Sequence, residues 1–152
     1  MLSLIAVLAT ALLQPAQPSV VFVCAHGAAK SVIAATYFNK LAVERGLPYR
    51  ATFRGVTPDP ELSTRALEGL KGDGLAPPSD KPQAIADADI RTATHIFAIG
   101  CPLPDQAQRS GKADTWSDVP DNQGYGPMRD AIVVHVKALL DRLAAPGGPG
   151  AR

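Results

Sequence analysis

Cysteine is scarce in this 152-residue chain, which has only Cys24 and Cys101. Two thiols cannot staple a disulfide scaffold, and no Cys/His cluster carries zinc-ligand spacing, so neither metal nor cofactor is expected. Aromatic residues make up 5 % of the chain. A charge surplus is missing too: 15 Lys and Arg face 14 Asp and Glu, for a net charge of +1. That balance leaves no electrostatic footprint for DNA or RNA, and nucleic acid is excluded as a partner. No internal repeat is visible. The apolar run Leu2 to Leu13 is twelve residues long, whereas a bilayer span needs about 20, so no stable membrane span is expected. The length suits one domain with a real core.

That N-terminal run, followed by Gln14-Pro15-Ala16-Gln17-Pro18, suits the apolar centre of an export signal with cleavage after Ala11 or Ala16. Met1-Leu2-Ser3 carries no positive charge, and an extra hydrophobic helix is the alternative. Residues 1–18 are therefore read as a signal peptide or N-terminal extension. The protein is periplasmic or secreted in the first case and cytoplasmic otherwise.

Beyond Pro18, Ser19 to Val23 is a short apolar run that reads as a buried parallel strand. From Lys30, Ile33, Ala34, Tyr37, Phe38 and Leu41 recur at helical spacing until Gly46 and Pro48. Tyr49 to Phe53 alternates like a strand and breaks at Gly55. Ser63 to Leu70 reads as a short helix with Leu62, Ala66, Leu67 and Leu70 on one side, and Ala86 to Thr92 as a helical turn. His95 to Ile99 is the next strand. Residues 103–126, rich in Pro, Gly, Asp and Gln, read as the longest irregular stretch. Pro127 can open a last helix whose stripe includes Ile132, Val136, Leu139, Leu140 and Leu143. Residues 145–152 read as a disordered tail. Strands alternating with helices predict an α/β domain over 19–144, with a parallel sheet wrapped by helices and ligands at the strands' carboxyl ends.

Cys24 stands at one such end. The strand gives way to Ala25, His26, Gly27, Ala28 and Ala29, and a helix opens at Lys30-Ser31. The unpaired N–H groups and dipole of a helix N-terminus favour negative charge, so one loop can serve both a thiolate and a bound oxyanion. Gly27 suits a bend in which backbone approaches an anion closely. Cys24 is the candidate nucleophile; the amides of Ala25, His26, Gly27, Ala28, Ala29 and Lys30 are the candidate anion cradle.

This stretch resembles the signature of the low-molecular-weight protein tyrosine phosphatases and the thioredoxin-type arsenate reductases that share their fold, Cys-x5-Arg-Ser/Thr after a hydrophobic strand. Here it reads Cys24, five residues, Lys30 and Ser31: spacing and serine match, and lysine stands for arginine. The resemblance runs thinly over residues 19 to 144 and implies a three-layer sandwich with a central parallel sheet flanked by helices. It implies a small oxyanion or phosphoester substrate, a thiol reductant if the reaction is reductive, and a Ser31 hydroxyl donating to Cys24. It also implies an acid for the leaving group in a late loop. Within Trp116-Ser117-Asp118-Val119-Pro120-Asp121, Asp118 is the first candidate and Asp121 the second, and Trp116 favours the reductase side. Cys101 is the redox candidate, as a partner for Cys24 in protection or in a short relay. His26 either assists the thiol or faces solvent; His95 and His135 read as structural. Three functions stay open: a cysteine-dependent enzyme, which we favour, an oxyanion-binding module without turnover, and an exported thiol redox protein.

Overall fold

The β-branched and aromatic residues after Pro18 form β1 (Ser19–Cys24), almost wholly buried. A computed structural model describes residues 16–147. The export signal read at 1–18 and the tail read at 145–152 lie largely outside the described residues. After β1 come α1 (Lys30–Glu44), β2 (Arg50–Gly55), α2 (Thr64–Gly72), α3 (Asp87–Thr92), β3 (His95–Ile99), α4 (Asp105–Gln108), β4 (Ala113–Trp116) and α5 (Tyr125–Ala144).

Among the described residues the four strands form one sheet in the order β2-β1-β3-β4, parallel throughout. Because strand side chains alternate between faces, each face has its own core. Val20, Phe22, Phe97 and Ile99 point to the larger one, with Phe38 of α1 and Ile132, Val136 and Leu140 of α5. Val21, Val23, Ile96 and Ala98 point to the other, where Ile90 of α3 and Ala107 of α4 cover them. The result is the expected three-layer α/β sandwich. From β1 the chain winds outward to β2, whereas β3 lies on β1's other side, so the sheet changes direction between β1 and β3. Ligands of such sheets bind outside the strand ends at that point. Cys24 and Gly100 flank it.

Three local readings differ from the sequence expectation. Leu67 is 37 % exposed rather than on the buried side of α2. The stretch 103–126 contains α4 and β4; α4 has only four residues, and β4 reads Ala-Asp-Thr-Trp, an edge strand without apolar alternation. α5 begins at Tyr125, two residues before Pro127, because a first-turn N–H has no intrahelical partner and proline there sacrifices nothing. No helix among the described residues is long and apolar enough to cross a membrane.

Candidate functional site

The loop after β1 is shaped by two glycines packed backbone to backbone. Gly27 has φ +60°, and a Cβ there would lie 2.7 Å from the Gly55 nitrogen. A Cβ on Gly55 would lie 2.7 Å from both the Gly27 nitrogen and the His26 carbonyl carbon. Only a missing side chain on each allows the contact. The segment after β2 then takes up the loop's carbonyls. The N–H groups of Val56, Thr57, Asp59 and Ser63 donate to the carbonyls of Cys24, Ala25, His26 and Ala28 at 2.8–3.1 Å, and that of Ile33 to Ala29 at 2.9 Å. The amides of Ala25 to Ala29 donate to no main-chain acceptor among the described residues. α1 starts beside them with no side-chain cap and no acidic residue in its first turn. Free donors and a positive helix end converge on one spot, where an anion supplies what the chain omits.

That spot is a cavity of about 650 Å³. Cys24, 4 % exposed, contributes its thiol to the wall, and the Ser31 hydroxyl lies 3.0 Å from Sγ, itself fully buried. Lys30 reaches the cavity with its side chain only 12 % exposed, and its ammonium meets the Asp121 carboxylate at 2.5 Å. A Cβ at Gly100 would fall 2.7 Å from that ammonium, so glycine at the end of β3 makes its room. His26 lines the cavity, yet its Nδ1–H donates to the Thr57 carbonyl at 3.2 Å and lies 3.6 Å from Asp59, which holds the ring toward that turn.

The two acid candidates separate. Asp121 is in the cavity wall, on Lys30. Asp118 lies outside it, 2.6 Å from His135 Nε2 on α5, and that hydrogen bond holds its carboxyl below the usual range. The His135 ring stacks on Trp116 at 4.7 Å, and Trp116 itself is buried against Phe22 and Phe97 rather than facing the cavity. Cys101 is outside the cavity too: its thiol points to the Val23 carbonyl at 3.7 Å. Burial, and then the nearby charge of Cys24, push that thiol up. Tyr125, Arg65 and Asp59 also line the cavity and were not singled out in the sequence. Their signal is spatial, since each comes from a different turn or helix end. No cluster of three or more potential metal ligands exists among the described residues.

No family model and no curated protein matches the sequence. Solved structures do match by shape. YwlE from Bacillus subtilis, studied as a mutant, superposes with TM-score 0.72 at 18 % identity over 84 % of this chain and 99 % of that one. A low-molecular-weight phosphotyrosine phosphatase from Vibrio cholerae O395 gives 0.71 at 19 % identity over 86 % and 99 %. A thioredoxin-dependent arsenate reductase from Corynebacterium glutamicum gives 0.67 at 22 % identity over 82 % of this chain and 60 % of its own. The fold of this chain is theirs.

Proposed function

We propose that the chain is a cysteine-dependent phosphomonoesterase. One observation carries the reading: a buried thiol borders a loop of unpaired amides at an uncapped helix N-terminus, with a lysine and a carboxylate facing the same cavity. The Cys24 thiolate attacks phosphorus as the ester P–O bond breaks, and the loop amides and Lys30 hold the equatorial oxygens, where charge spreads in the transition state. The substrate enters as its monoanion and takes over the Lys30 ammonium; its proton passes to the freed Asp121, which returns it to the departing oxygen. Ser31 donates to sulfur when it later leaves. Water then attacks the phosphocysteine, Asp121 accepts its proton, and phosphate departs with the thiolate restored.

One feature favours an ester over free arsenate: at about 650 Å³ the cavity exceeds a tetrahedral oxyanion several-fold and leaves room for an organic group. Arsenate reduction by way of Cys101 is the second reading, supported by the place of that thiol just beyond β3, 3.7 Å from the carbonyl of Val23, the residue next to Cys24. The test is turnover of p-nitrophenyl phosphate and of arsenate with dithiothreitol, together with iodoacetamide labelling. We expect release of p-nitrophenol, no arsenite, and phosphate protection of Cys24 alone. Equal, unprotected labelling of both cysteines would refute the anion loop.

A further inference from the structure

We propose that Asp73 is a positioning residue for proton donation: it fastens Tyr125, and through Tyr125 the turn that carries Asp121, against α2. The inference rests on the phosphomonoesterase reading and goes beyond it, because Asp73 lines no part of the cavity.

Asp73 closes α2 as its C-terminal cap. A carboxylate there meets the negative end of the helix dipole, an unfavourable place for an anion. Donors from two other helices compensate. The Tyr37 hydroxyl of α1 donates at 2.6 Å, the Tyr125 hydroxyl at 2.7 Å, and Nη1 of Arg129 at 3.0 and 3.2 Å. Tyr125 is held in two further ways. Its ring lies so close over Gly69 that a Cβ there would be 2.3 Å from Cγ, and the Arg129 guanidinium stands 5.4 Å from the ring centroid.

Tyr125 is the first residue of α5 and part of the cavity wall, and the turn before it runs from Asp121 through Gly124, whose φ is +90°. Asp121 is 74 % exposed, and its charged partner is Lys30. During turnover the substrate claims that ammonium, so Asp121 loses its tether at the moment its proton is needed. The Tyr125 anchor then holds the turn on its α5 side, as the buried Val119 does on the other. Misplacing a reacting group by about 1 Å can cost on the order of a hundredfold in rate.

The test compares two esters. Phenolate is a poor leaving group that needs its proton; p-nitrophenolate leaves nearly unaided. For full-length Asp73→Asn we expect kcat/KM, which reports P–O cleavage and not the later hydrolysis that both esters share, to fall about tenfold or more on phenyl phosphate and less than about threefold on p-nitrophenyl phosphate. Asp121→Asn should show the same selectivity, and the double variant should be no slower than Asp121→Asn alone. Tyr37→Phe removes one donor without touching the cavity and should give a smaller loss of the same selectivity. It carries the test if Asp73→Asn fails to fold. An equal fall on both esters, or additive losses in the double variant, overturns the proposal while leaving the phosphomonoesterase reading intact. A wild-type chain that hydrolyses neither ester overturns both.

Discussion

Lys30 is the residue on which turnover turns. Its ammonium is a point charge, whereas an arginine would present a planar fork matched to two phosphate oxygens. The missing side chain at Gly100 lets the lysine tip in, the cavity it lines has room for a guanidinium, and Asp121 already compensates its charge. Lys30→Arg should therefore raise kcat about tenfold, with a smaller change in KM, because the second prong bonds oxygens whose charge grows in the transition state. Lys30→Ala should abolish phosphate protection of Cys24 against iodoacetamide. No change in either variant would remove this loop from the chemistry. That Cys24, Lys30 and Ser31 would lie together was legible in the sequence because they sit on one continuous strand-loop-helix junction; the roles read for Lys30 and Ser31 came from the resemblance. The sequence put Asp118 ahead of Asp121, with only two residues of irregular turn between them to judge by, and the structure places Asp121, not Asp118, in the cavity wall. Their fates depend on His135, which captures Asp118 from a helix that starts only after the turn.

At the scale of elements, the tight joint is that between the Cys24 loop and the end of β2. Gly55→Ala keeps an ordinary φ but puts a methyl group 2.7 Å from the Gly27 nitrogen, where backbone rather than a flexible side chain must yield. We expect it to cost about 1–3 kcal/mol in urea unfolding and to weaken phosphate protection of Cys24, because the loop must lift from β2. Gly46→Ala meets no atom within 4 Å, though its φ is +67°, and should leave protection unchanged. Equal effects of the two on protection would show that the joint does not shape the cradle. The sequence marked Gly55 only as a strand break; what it faces depends on the register Cys24↔Gly55. β3 was legible to the residue because an apolar run ends at Gly100, and α1 because its apolar spacing persists from Ile33 to Leu41, about two and a half turns, before Gly46 and Pro48. β4 was not, since its burial comes from β3 and α5 rather than from its own pattern.

For the whole molecule, acid is the telling perturbation, because groups at three separate places in the chain resist protonation in the fold. Burial, then Arg142, holds the His95 imidazole low, and its Nε2 is buried without a hydrogen-bond partner among the described residues. Hydrogen bonds from Tyr37 and Tyr125 hold Asp73 low, and the bond to His135 does the same for Asp118. In each case the unfolded chain takes up protons more readily than the fold, so stability falls as pH falls. The windows differ. His95 stabilises fully above its unfolded value of about 6.5 and loses its contribution below it, whereas the two carboxylates act only as pH drops below about 4. One group can contribute a slope of at most about 1.4 kcal/mol per pH unit. Urea midpoints should therefore decline in two steps, one beginning near pH 6.5 and a steeper one below about 4. His95→Phe, whose ring would suit the neighbourhood of Phe97 at 6.3 Å, should remove the first step, gaining on the wild type at pH 5.5 relative to pH 7.5. Asp73→Asn should lower stability at neutral pH by about 2 kcal/mol and converge on the wild type as acid protonates the carboxyl within the fold, below the usual carboxylate range. Added salt should shrink the share from Asp118, the most exposed of the three, and leave that of His95. Wild type and His95→Phe running parallel from pH 7.5 to 5 would show that His95 takes its proton within the fold, and the first step would need another origin.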